Sequence, residues 1–237
     1  MMTGGPRLFF IIKNRKPNKE FENILSMATK IMKSEYPERI YDLIYSLGKP
    51  YQFEIINKCI KGNPISQDNW YYYEHLFFKS CYDKYRLIKE DNNGALLNYT
   101  SFTEEKYLDP SNHLIFAFPW HQNRLSDAFE NIGEKVDNKW KHDPFNHKTT
   151  LLYPLNIGYV TNGHHSSAMN IINNEAPMRI TQILDLTPIY DEIYTDGDCF
   201  RRNSDHKFVD EVTSVEFAAI FEIGRLILKN PVSNTIA

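Results

Sequence analysis

Cysteine is scarce in this chain: Cys59, Cys81 and Cys199 are three residues in 237, odd in number and far apart. No two form a CxxC pair, so neither a disulfide framework nor a cysteine zinc site is indicated, and a reducing, cytoplasmic setting is expected. Long apolar runs are missing as well. The early run Leu8-Phe9-Phe10-Ile11-Ile12 falls far short of the ~20 residues that cross a bilayer. It has no small-residue cleavage site, so neither a membrane span nor a signal peptide is expected. Charge of one sign is also lacking. Twenty-seven Lys and Arg against 30 Asp and Glu leave a formal net charge of −3, which excludes a global basic field for nucleic acid but leaves local patches open. The 10 glycines build no P-loop and no dinucleotide fingerprint. A G-x-S-x-G nucleophile elbow is absent too.

What is present suits a packed protein. Hydrophobic residues make up 42 % and aromatic residues 14 %, enough for one large domain or a domain with an appendage. The abundance of Lys, Asn, Ile and Tyr points to an AT-rich coding genome of bacterial or phage type. The first half reads as helices. Phe21, Ile24, Leu25, Ala28, Ile31 and Met32 recur at helical spacing, predicting a helix over 18–34. Pro37 opens a second helix that Gly48 and Pro50 should stop, and Phe53 to Ile60 predicts a third. Residues 69–90, aromatic on more than one side, predict a long packed helix. There the run Tyr71-Tyr72-Tyr73 suits a core or an interface better than base stacking. Polar breaks at 91–94 and 109–112 divide a helical region, 1–110, from a second part, 111–237. No internal repeat is visible.

The second part alternates strands and helices. Residues 113–120 read as a strand, and Ser126 as the N-cap of a helix through Val136. Residues 138–149 read as a polar loop, 151–153 and 157–161 as strands, and 178–186 as another. Residues 196–205 read as a loop. The calcium-like start Asp196-Gly197-Asp198 lacks the closing glutamate, since Lys207 stands there. Thr213 and Glu216 form a capping box for a last helix ending at Asn230.

The stretch Thr161 to Ala168, TNGHHSSA, raises the functional question. Asn162-Gly163 could turn a β-hairpin, but the helix-like spacing after it favours a strand, a glycine turn and a helix start. Such a start offers unpaired N–H groups and partial positive charge, suited to phosphate. Gly163 would let the backbone approach a ligand. Ser166 and Ser167 would donate hydroxyl bonds, and His164 or His165 would contact phosphate or move a proton near neutral pH. Adjacent histidines face different ways, so a histidine metal site with His121, His142 or His147 is a weaker reading.

Two motifs in order, Asn123-Arg124 after the first strand and Asn162-Gly163-His164-His165 opening a helix, resemble the signatures of the ParB/sulfiredoxin-like superfamily over residues 111–190. The sequence departs from the superfamily in having Asn162 for its aspartate and Ser166 for its arginine, and it has no motif cysteine. The resemblance implies an α+β protein: a helical N-terminal region, a small mixed-sheet domain and a C-terminal helix. It also implies a phosphate or nucleotide ligand, held by Asn123, Arg124, Asn162, Gly163, Ser166 and Ser167. Fold alone does not choose the activity. One reading is a nuclease or nucleotide hydrolase with His164 and His165 catalytic and a divalent metal such as Mg²⁺ as cofactor. The other is a non-catalytic module that senses a nucleotide or binds nucleic acid, or binds a protein through its helical part.

Overall fold

The computed structural model describes residues 18–65, 73–79, 99–101 and 105–232. Helix α1 (Lys19–Met32) starts where the Asn18 side chain accepts from Phe21 N, satisfying a first-turn donor. A 3-10 turn (Pro37–Arg39) then leads into α2 (Ile40–Ile60). The sequence predicts two helices here, and the structure has one, running through Gly48 and Pro50. Gly48 is a close approach rather than a stop: a Cβ there would collide with Leu114. An interior proline costs ~3 kcal/mol, whereas each fully buried Ile or Leu returns roughly 1.5–3 kcal/mol. Ile40, Ile44, Ile55 and Ile56 are all buried, so packing outweighs the break. Of the long helix predicted over 69–90, most lies outside the described residues. The described part is a 3-10 turn (Tyr73–Leu76) followed by buried Phe77 and Phe78.

The chain continues through β1 (Tyr99–Ser101), β2 (Tyr107–Leu108), β3 (Ile115–Phe116) and α3 (Gln122–Asn131). Then come β4 (Lys148–Tyr153), β5 (Ile157–Asn162), α4 (His164–Asn173), β6 (Met178–Arg179) and β7 (Gln182–Asp185). A mixed sheet of order β1-β7-β4-β5-β3 forms, and β2 pairs separately with β6. β4–β5 and β1–β7 are antiparallel, while β3–β5 and β4–β7 are parallel. Residues 178–186 are thus two strands in two sheets, and β1 joins the main sheet from before residue 111. Successive residues alternate faces: Leu152 and Phe116 enter one core, Leu151 and Ile115 another. The first core also holds Ala28, Ile44, Phe77 and Phe221, so helical region and sheet share one interior. At the β3 edge, the buried Gln52 side chain donates to Ile115 O.

Helix α5 (Thr187–Glu192) leads into an antiparallel meander of β8 (Ile193–Thr195), β9 (Cys199–Arg202) and β10 (Phe208–Glu211). β9 corrects the loop predicted over 196–205. Phe200 is fully buried, with its ring against Phe78 and Phe221. The Asp196 carboxylate is used by the turn itself, accepting from Asp198 N and Cys199 N and pairing with Arg201. Helix α6 (Val215–Lys229) is capped by Ser214, which accepts from Phe217 N, while Thr213 donates to carbonyls of the 73–79 segment. Among the described residues no helix is long and apolar enough to cross a membrane.

Candidate ligand-binding site

Two helices begin side by side at one end of the sheet. α3 follows β3 and is capped by His121, whose Nδ1 accepts from Arg124 N at 3.4 Å. This corrects the predicted start at Ser126, which is exposed and lies a turn inside the helix, and the predicted end at Val136. Gly133, at φ +136°, comes before a separate 3-10 turn (Glu134–Val136). α4 follows β5 directly. Gly163 is its N-cap at φ +80°, so TNGHHSS is strand, turn and helix rather than a hairpin.

The space beside Gly163 belongs to the chain itself. A Cβ there would lie 2.6 Å from His147 Cδ2 and 3.1 Å from Asn146 O. The glycine therefore serves internal packing, where the sequence suggested room for a ligand.

The paired histidines stitch the two helix starts together. His164, 1 % exposed, accepts from Phe118 N at 3.1 Å through Nδ1. His165 accepts from His121 N at 3.2 Å through Nε2 and packs edge-on to Trp120. Each ring thus has one nitrogen committed as an acceptor. Burial, with His165 alongside, lowers the His164 pKa to about 3. Burial, with Arg124 and His121 nearby, lowers that of His165 to about 4. Both rings are neutral at pH 7, and their lone pairs are occupied. Held this way, neither ring is poised to take up a proton near pH 7, where the sequence suggested proton transfer. These rings instead fix backbone.

A third histidine, which the sequence offered only as a candidate metal ligand, completes the cluster. His147 Nδ1 accepts from Asp143 N at 2.8 Å, and its Nε2 lies 2.5 Å from Ser166 Oγ. Since Nδ1 accepts an N–H, Nε2 carries the proton and donates to the serine. Ser166 Oγ in turn lies 3.3 Å from Gly163 O. The His147 ring stacks on Trp140 at 4.7 Å, and burial, with His142 nearby, lowers its pKa to about 4. A sequence signal for it existed. Asp143-Pro144-Phe145-Asn146-His147 repeats the pattern of Asp109-Pro110-Ser111-Asn112-His113. Both copies make the same turn. In each, the aspartate N–H donates to the histidine Nδ1, the histidine N–H returns to the aspartate carbonyl, and the carboxylate accepts from the middle residue.

Between α3 and α4 lies a cleft of about 430 Å³, lined by Trp120, Arg124, Asp127, Asn146, Asn162, Gly163, His164, His165 and Ser166, among others. Arg124 and the 162–166 segment, nearly 40 residues apart, thus meet as the motifs suggested. Two proposed ligand residues do not join them. Asn123 is exposed outside the lining. Ser167 is fully buried on the core side of α4, and its Oγ has no hydrogen-bond partner among the described residues. One residue of helical rotation separates it from Ser166, which faces His147. A second cleft of about 270 Å³ adjoins the first through Ile132, Asn146 and Ser166 and adds Lys139, Trp140, Lys141 and Asp143. Among the described residues no three His, Cys, Asp or Glu side chains are grouped to hold a metal.

One family model matches residues 7–234, nearly the whole chain. The chain belongs to this family of unknown function, DUF6710. The DUF6710 match takes in the helical region and the sheet together, in keeping with their common core. No curated protein and no solved structure matches the chain. None of these matches bears on the ParB/sulfiredoxin-like resemblance; of its two motifs, Asn162–His165 sits at a strand–turn–helix junction, while Asn123-Arg124 lies within the first turn of α3 rather than at a strand end.

Proposed function

We propose that the cleft between α3 and α4 binds a phosphate-bearing ligand, a nucleotide or a nucleic-acid phosphate, without imidazole acid–base chemistry. One observation carries this reading: Arg124 lines the same cleft as Asn162, Ser166 and the first turn of α4. First-turn amides lack intrahelical acceptors, and an arginine fork beside them suits phosphate oxygens. The ParB/sulfiredoxin-like resemblance supports the same ligand class. A cytoplasmic setting fits such a ligand, and Cys59 and Cys199 are free thiols. A divalent metal such as Mg²⁺ would arrive with the phosphate.

Hydrolysis of a phosphodiester or phosphoanhydride is the second reading, favoured by the 2.5 Å His147–Ser166 contact. It is weaker because the imidazole donates to that hydroxyl. To act as its base, His147 would have to give up its bond from Asp143 N.

Calorimetric titration with tripolyphosphate and nucleoside triphosphates, with and without Mg²⁺, tests the proposal. Wild type should bind, and Arg124→Ala should weaken binding by about tenfold or more, the size of a lost charge-assisted contact. No binding under any condition would overturn the site. Phosphate release by wild type that disappears in Ser166→Ala would replace binding by hydrolysis.

A further inference from the structure

The two D-P-x-N-H turns differ at their middle position. In the first it is Ser111, exposed. In the second it is Phe145, 91 % exposed. Since a serine closes the same turn with the same bonds, the turn does not require the ring, and at that exposure the core does not use it. Yet the backbone that carries the ring is held firmly. Asp143 Oδ1 accepts from Phe145 N at 2.9 Å, His147 N returns to Asp143 O at 2.7 Å, and Lys148 Nζ donates to Pro144 O at 2.6 Å. An aromatic side chain left in water on a turn whose backbone is fixed beforehand has the character of a binding anchor, because little loop-ordering entropy remains to be lost.

Its surroundings specify the partner. The turn lies between the two clefts, with Asn146 in the lining of both and Asp143 in that of the second. On one side is Arg124. On the other, Lys139 and Lys141 are exposed while Trp140 between them is buried. Asp127 and Asp143 are the carboxylates in these linings, and that of Asp143 already accepts from two backbone amides. We propose that Phe145 is a stacking platform for a base of single-stranded nucleic acid whose phosphate occupies the adjoining cleft. This rests on the phosphate reading of that cleft and names the ligand class. A mononucleotide confined to the cleft would leave so exposed a ring untouched, whereas a strand running out of the cleft past Asn146 reaches the adjoining Phe145. Bases in a duplex have no open face to offer.

The test uses fluorescence anisotropy with a labelled oligothymidylate of about 15 nucleotides, near the upper range of known single-strand sites, and a duplex of equal length. Tripolyphosphate binding is measured by calorimetry on the same proteins. Phe145→Ser places in this turn the residue its sister turn already carries, so folding is preserved. Wild type should prefer the single strand to the duplex. Phe145→Ser should weaken the single strand by about fivefold or more, the low end of one lost base stack, and leave tripolyphosphate unchanged. Phe145→Trp should retain binding. Tripolyphosphate binding together with equal oligonucleotide affinity for wild type and Phe145→Ser would overturn the platform and leave the cleft standing. Failure of wild type to bind tripolyphosphate would remove both.

Discussion

Gly163 shows how one residue couples the turn to the histidine cluster. Its φ of +80° and the 2.6 Å approach of His147 Cδ2 combine a backbone cost with a steric one. Gly163→Ala should lose about 1–3 kcal/mol, read as a lower urea midpoint at unchanged slope, and should displace His147. The histidines also set a pH dependence. His164, His147 and His165 have folded pKa values of about 3, 4 and 4, below the ordinary value near 6.5. The folded chain therefore binds these protons less readily than the unfolded one. Stability is full above about pH 6.5 and falls as the pH drops toward 4 for His147 and His165 and toward 3 for His164. At pH 5 His164 alone should cost about 2 kcal/mol. Urea denaturation at pH 7 and pH 5 should show this loss, and His147→Gln should flatten the slope. A midpoint constant across that interval would contradict neutral buried imidazoles. Sequence could place these side chains at a helix start but could not assign their work. Whether a histidine titrates depends on which backbone N–H meets its ring, and Phe118 and His121 come from the connection between β3 and α3, more than 40 positions away.

At the scale of the element, caps and close approaches decided the boundaries. Ser214 caps the start of α6 by accepting from Phe217 N, so Ser214→Ala should lower stability by about 1 kcal/mol, visible as a reduced Tm. Thr213→Ala should act differently, because its hydroxyl reaches the carbonyls of Leu76 and Phe77 and ties the meander to the 73–79 segment. The capping-box pattern located this helix to within one residue. The same local grammar failed at Gly48 and Pro50. Both are punctuation in an isolated peptide, but here Gly48 faces Leu114 from a distant segment. It failed again at residues 196–205, where polar composition suggested a loop while Cys199 and Phe200 carried a buried strand. In each case the deciding contact came from far along the chain. The strand–turn–helix at 157–173 was legible because its signals are local: apolar run, Asn-Gly, then helical spacing. Sequence offers His147 only as a candidate metal ligand, because a polar loop gives no periodicity and only comparison with the 109–113 turn exposes the pattern.

For the molecule as a whole, Arg225 clamps α6 to the meander. Its guanidinium donates to Tyr190 O, Ile193 O and the Glu222 carboxylate, while Glu222 accepts from Thr195 N. Arg225→Met should cost about 3–5 kcal/mol, because it leaves a largely buried carboxylate and two carbonyls without their cation. Thermal unfolding should show a large loss, and Glu222→Gln in the same background should recover part of it. The α+β class was readable from the change from helical to strand spacing, but the division near residue 110 was not a division of cores.

The packing of α1 on α6 has a consequence for the order of events in the cell. Phe21 lies in one small cluster with Ala218 and Ala219 and sits against Gly197. During synthesis the first helix therefore leaves the ribosome nearly 200 residues before the surface that covers it. Until then its apolar stripe must wait, shielded by provisional contacts or by a chaperone, and the native core can close only when translation has delivered the last helix.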